Sequence, residues 1–205
     1  MISFKYITKY IFKFIKKCIL MKSSYTNNIN FGDLLSSITF LQKPERIVEV
    51  GILEGFSLTK FIESTDINTS IDAFDIFEDF NGNHAKRKQI EEKFKKFPNV
   101  LINKEDYYKV TTLYEKDSID LFHIDVANNG DVYRYAFEEY MPKLTENGIL
   151  ILEGGSEQRD NIEWMNKYNK PKIQPVIKEY QEKGFEITVI GEMPSLTIVR
   201  KHTSV

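Results

Sequence analysis

At 205 residues the chain suits one domain with a sizeable core, and 41% hydrophobic with 28% charged residues excludes a disordered or fibrous protein. A single cysteine, Cys18, excludes an internal disulfide framework and a cysteine zinc site, so a reducing compartment, the cytoplasm, is the default. The net charge of −2 hides an asymmetry: residues 1–22 hold six lysines and no acid, which leaves 22 basic against 30 acidic side chains elsewhere and argues against a nucleic-acid partner.

The basic start has helical spacing. Ile7, Tyr10, Ile11, Phe14, Cys18 and Ile19 fall on one face and Lys5, Lys9, Lys13 and Lys16 on another, with no apolar run near the ~18 residues of a membrane span. Three readings stay open for residues 1–20: peripheral contact with the inner face of an anionic membrane, packing on the domain or on a second subunit of a homo-oligomer, or translation that begins at Met21. The lysines interrupt any signal-peptide core. Residues 1–30 are therefore expected to be an amphipathic extension and polar linker, and residues 31–205 the main domain.

A helix is expected over Phe31–Leu41, then a strand over Arg46–Val50. The chain next turns through Glu49-Val50-Gly51-Ile52-Leu53-Glu54-Gly55-Phe56-Ser57 into a helix, which is how open α/β sheets build a nucleotide pocket. Leu53 stands where a dinucleotide fingerprint has its second glycine, so a diphosphate ligand is disfavoured. Further strands are expected at Ser70–Phe74, Val100–Ile102, Ile119–Ile124 and Ile149–Leu152, with helices at His84–Phe97, Tyr133–Leu144 and Pro171–Lys183. Strands this apolar are buried on both faces, as in a parallel sheet. The last two, Phe185–Ile190 and Leu196–Arg200, are joined by five residues, too few for a parallel crossover, so they are antiparallel if they pair.

Acids end four strands: Glu49, Asp75, Asp125 and Glu153, with Glu105 and Asp106 after a fifth. Ligands of a doubly wound sheet bind at the carboxyl ends of its strands, so these side chains should converge. His123 and Asp125, two apart on one strand, should share a face, and either could serve as general base or substrate anchor; a hydrogen-bonded core histidine is the alternative.

These residues resemble class I S-adenosylmethionine-dependent methyltransferases, across about residues 31–205. The motifs are most similar to small-molecule O-methyltransferases of the catechol and caffeoyl-CoA type and to sugar- or antibiotic-tailoring relatives. Glu49–Ser57 matches the first motif, Ile71–Asp75 resembles the second, and Asp120–Asp125 with Leu144–Glu153 resembles the fourth and fifth strands. The resemblance implies an α/β fold with a doubly wound, mostly parallel seven-stranded sheet and an antiparallel last strand. It implies S-adenosylmethionine as cofactor, whose sulfonium suits an acidic crevice. Glu49 would hold its amino group, Gly51 and Gly55 would shape the turn, and Ser57 would lie nearby. Asp75 would accept the ribose hydroxyls, Ile76 and Phe77 would cover the adenine, Glu105 or Asp106 would meet the adenine amino group, and Asp125 would border the cofactor. The activity implied is methylation of a small polar acceptor, a hydroxyl of a sugar or secondary metabolite.

Metal-dependent members place an acid where Asp125 stands and an Asp-Asn pair after the fifth strand, hard oxygen ligands for magnesium. Here that pair is Glu153-Gly154, which weighs against a metal; Asp125 and Glu153 are its candidate ligands if one binds, and Asn128, Asn129 or Asp131 could replace the missing one. Two rival readings remain: an NAD-type oxidoreductase on a related sheet, and a non-catalytic membrane-associated binding protein of this fold. Acceptor selection is expected from loops, with Trp164 and Tyr168 as candidate pocket residues.

Overall fold

The computed structural model describes residues 23–25 and 29–200, so the amphipathic face expected over residues 7–19 lies outside the described residues. Seven strands form one sheet: β1 (Arg46–Val50), β2 (Ser70–Asp75), β3 (Val100–Lys104), β4 (Ile119–Ile124), β5 (Leu144–Glu153), β6 (Glu186–Ile190) and β7 (Leu196–Arg200). Their order across the sheet is β3-β2-β1-β4-β5-β7-β6. β1 runs parallel to both β2 and β4, whereas β7 is antiparallel to both β5 and β6. This is the Rossmann-like methyltransferase arrangement implied by the sequence, with the reversed strand inserted where the short Gly191–Ser195 link forbids a crossover.

Helices cover both faces. They are α1 (Ile29–Gln42), α2 (Phe56–Glu63), α3 (Arg87–Phe94), α4 (Tyr107–Val110), α5 (Gly130–Tyr135), α6 (Glu157–Asp160), α7 (Glu163–Lys167) and α8 (Gln174–Glu182). Alternation along the strands divides the core: Ile47, Ile71, Leu121 and Ile151 pack with Leu35 of α1, Phe61 of α2 and Phe94 of α3. Val48, Phe122, Leu150 and Val199 pack on the other face with Tyr133 of α5 and Ile177 of α8. The crossovers that follow β1 and β4 leave for opposite faces, so a crevice opens between the carboxyl ends of these neighbouring strands.

Several boundaries differ from the sequence expectation for local reasons. The charged helix forms only over Arg87–Phe94, because the Asn83 side chain accepts from Ala85 N at 2.9 Å and holds the preceding residues in a turn. The helix expected from Tyr133 starts at Gly130, capped by the Asn129 side chain, and passes into a π turn at Ala136–Tyr140. β5 begins at Leu144 instead of Ile149: Ile119 pairs with Leu144 and Leu121 with Ile149, so residues 145–148 bulge out of an otherwise continuous strand. Among the described residues no helix is long and apolar enough to cross a membrane.

Candidate active site

The turn after β1 is built around two atoms of close approach. Gly51 has φ +97, donates its N–H to Phe74 O at 2.9 Å, and has its α-carbon so near β4 that an added Cβ would lie 1.9 Å from Asp125 O. Gly55, at φ +76, meets the Phe94 ring instead, with an added Cβ 2.6 Å from it; it serves helix packing and does not line the crevice.

Asp75 ends β2 and ties two loops together. Its Oδ2 accepts from Ile52 N at 2.8 Å and Leu53 N at 3.3 Å, while its Oδ1 accepts from Phe77 N at 2.7 Å and Asn83 Nδ2 at 2.6 Å. A carboxylate offers about four acceptor positions, so the protein itself fills them. Leu53 and Phe77, at φ +49 and +50, are bulky residues in the left-handed region, and each gives its N–H to this carboxylate.

The crevice is a cleft of ≈ 490 Å³ lined by four carboxylates, Asp75, Glu105, Asp106 and Asp125, and by no lysine, arginine or histidine among the described residues. Gly51, Leu53, Ile76 and Val126 give it an apolar wall and floor. Asp106 also caps α4 by accepting from Tyr108 N at 2.9 Å, which turns its neighbour Glu105 along the same rim. A larger hollow of ≈ 610 Å³, between Phe40 and Thr69, lies at the opposite, amino end of β1 and β2, away from these acids.

Below the turn lies a buried chain that the spacing of the sequence did not reveal. Glu49 is fully buried and accepts from the Ser57 hydroxyl and from His123 Nδ1 at 3.1 Å. A carboxylate oxygen only accepts, so Nδ1 carries a proton directed at Glu49, and Nε2 shares a hydrogen bond with the Tyr25 hydroxyl at 3.2 Å. Glu49 Oε2 is buried with no partner among the described residues. His123 is fully buried, edge-on to Phe61 at 5.4 Å between ring centroids, and does not line the cleft. Glu49, Ser57 and His123 therefore form one cluster behind the cleft wall, whereas Gly51, Asp75, Ile76, Asp106 and Asp125 reach the cleft.

Ser24 and Tyr25, read from the sequence only as linker, close this end of the site. Ser24 Oγ donates to Asp125 Oδ2 at 2.5 Å, and the fully buried Tyr25 ring stacks on Phe31 at 5.9 Å. Burial, with Asp125, Glu153, Tyr133 and Glu49 nearby, raises the Tyr25 hydroxyl well above its ordinary pKa and keeps it neutral. Tyr25→Phe is expected to leave His123 Nε2 buried and unpaired, lowering stability by about 1–3 kcal/mol in urea denaturation. An unchanged midpoint would mean that this hydrogen bond contributes nothing.

Asp125 is partly exposed to the cleft; enclosure by protein raises its pKa, opposed by the His123 imidazole and the Ser24 hydrogen bond and reinforced by Glu49. Glu153 is pushed up to about 7 by burial and by the charge of Asp125, against the pull of Arg159. Arg159 Nε contacts both Glu153 oxygens, at 3.1 and 3.3 Å. With Glu153 committed to a guanidinium and Asp125 to Ser24, these residues do not fit a divalent ion. Among the described residues no three His, Cys, Asp or Glu side chains are grouped to hold one. Trp164 is half-buried and stands 5.9 Å from the Arg159 guanidinium, Tyr168 is exposed, and neither lines the cleft.

A family model described as a methyltransferase domain matches residues 48–153, just over half of the chain. Solved structures of similar fold include an O-methyltransferase from Bacillus cereus in complex with SAH (TM-score 0.65, 15% identity, 84% of this chain and 81% of that one). They also include SAH-bound PaMTH1 from Podospora anserina (TM-score 0.62, 16% identity, 84% and 78%). A third is the O-methyltransferase TomG from Streptomyces achromogenes, involved in tomaymycin synthesis and in complex with SAM (TM-score 0.63, 13% identity, 85% and 80%). No curated protein matches the sequence.

Proposed function

The chain belongs to the methyltransferase domain family, and we propose that it transfers the methyl group of S-adenosylmethionine to a hydroxyl of a small polar acceptor, a sugar or secondary metabolite. The observation that carries this reading is the sign of the cleft: four carboxylates and, among the described residues, no cation line it, an environment for a sulfonium and not for the diphosphate of NAD. The similar proteins crystallised with SAM or SAH support the same cofactor.

The cofactor supplies a methyl group on a positively charged sulfur. Around it the residues take the following roles. Glu49 Oε2, buried behind the cleft wall with no partner among the described residues, would reach the amino group through water. Gly51 lets the methionine portion lie against backbone, and Ile76 covers the adenine. Asp75, whose acceptor positions are filled by protein donors, acts through the turn it shapes, and Glu105 and Asp106 face the nucleoside. Asp125 borders the sulfonium and acceptor ends and receives the acceptor proton, while His123 orients Glu49 from behind. Much of the rate comes from holding nucleophile and methyl group ~3–3.5 Å apart in line.

The test is release of S-adenosylhomocysteine with a panel of hydroxylated sugars and small metabolites, each beside its amino analogue. Turnover with a hydroxyl is the expected result, and turnover only with the amines would overturn the choice of oxygen. Asp125→Asn should lower kcat by roughly 10²-fold or more in that assay.

A further inference from the structure

We propose that Arg159 is a positioning residue for this reaction, its guanidinium being the built-in cation at the ends of β4 and β5 where metal-dependent relatives keep a divalent ion. The proposal rests on the methyl-transfer reading above. Three observations place it there. Arg159 is 6% exposed, and its Nε bonds both oxygens of Glu153 while Nη2 donates to Asn128 O at 3.2 Å. Gly154, standing where those relatives have a metal-ligating asparagine, has φ +94, and an added Cβ would lie 3.1 Å from Arg159 Cγ; the missing side chain is the space the arginine stem uses. Ser156 caps α6 by accepting from Arg159 N at 3.0 Å, which fixes where the arginine leaves the backbone.

The contacts reach the cleft through one loop. Asn128 Nδ2 donates to Ile124 O at 3.2 Å and Glu153 O at 2.8 Å, so Asn128 bridges the ends of β4 and β5. Arg159 grips the carbonyl of that same residue, and Asp125, on the cleft wall, opens the loop that Asn128 closes. A fixed charge delivered this way neutralises Glu153 and sets Asp125 with no ion to capture. A divalent ion could bind Glu153 only after the guanidinium had been ejected from a buried site.

The experiment combines Mn²⁺ titration followed by electron paramagnetic resonance, S-adenosylmethionine calorimetry and turnover on the full-length protein, Arg159→Met and Arg159→Lys. Wild type is expected to bind Mn²⁺ no better than a surface carboxylate does and to keep its cofactor affinity and turnover after dialysis against EDTA. Arg159→Met should bind Mn²⁺ at least about tenfold tighter and lose about 10–100-fold in kcat with cofactor affinity little changed, and Arg159→Lys should recover part of kcat. Tight Mn²⁺ binding by wild type, with turnover lost in EDTA and restored by Mn²⁺, would overturn the proposal, as would a folded Arg159→Met with normal kcat. If Arg159→Met does not fold, the Glu153→Gln/Arg159→Met pair removes both charges together; a folded pair with normal kcat again overturns it. Failure of the methyl-transfer reading shows separately, as absence of cofactor binding in wild type, and leaves the Mn²⁺ comparison intact.

Discussion

Gly51→Ala is expected to destabilise the protein by about 3–5 kcal/mol and to remove cofactor binding even where the fold survives. Two costs combine. The backbone at φ +97 is one that an alanine adopts only under strain, about 1–3 kcal/mol, and the new methyl would lie 1.9 Å from the carbonyl oxygen of Asp125. That neighbour is backbone next to the end of a central strand, so relief requires β1 and β4 to part, which opens the Asp125 N to Val50 O bond of 2.9 Å. A domain of this size has about 5–15 kcal/mol of stability, so the loss consumes much of it. Urea denaturation measures the first effect and calorimetry the second. A variant as stable as wild type that binds cofactor normally would mean that the turn is not held as described.

Asp75→Ala is the second large effect, about 3–6 kcal/mol, and its cause differs. The carboxylate is 6% exposed, and its removal strands the buried N–H groups of Ile52 and Phe77 and weakens the hold on Leu53, each unpaired donor costing about 1–3 kcal/mol. Two left-handed residues then lose the interaction that keeps them there, and both loops belong to the rim of the cleft. Asp75→Asn keeps one carbonyl oxygen and should fall between wild type and alanine. If Asp75 contacted only the ribose, both variants would lose cofactor affinity while the urea midpoint stayed put; a lowered midpoint in the absence of cofactor is the expected result.

Much of the fold was legible because each element announces itself locally. Arg46–Val50, Ile119–Ile124 and Leu196–Arg200 are apolar runs stopped by a glycine, an acid or a link, and their bounds agree with the structure. The bulge at residues 145–148 was not legible, since polar Thr145-Glu146-Asn147 reads as a loop and pairing across it depends on Ile119 and Leu121. The short helices α4, α6 and α7 contain too few residues to show a period. Topology alone brought Asp75 and Asp125 to the cleft, whereas Glu49 and Glu153 end their strands in buried pairs with His123 and Arg159 and do not line it. What each carboxylate is bonded to did not follow from topology, because some partners come from far along the chain: Tyr25 is 98 residues from His123, and Ser24 is 101 from Asp125. Arg159 left a fainter signal, a cation five residues after Gly154, the glycine that stands where metal-dependent relatives have a ligand and whose missing side chain leaves room for the arginine stem.

Titration of the full-length protein with S-adenosylmethionine and, separately, with NAD in an isothermal calorimeter tests the methyl-donor assignment most directly. The acid-lined cleft predicts one site for S-adenosylmethionine, with a Kd between about 1 μM and 1 mM, and no heat with NAD. Binding of NAD with no heat from S-adenosylmethionine would contradict it.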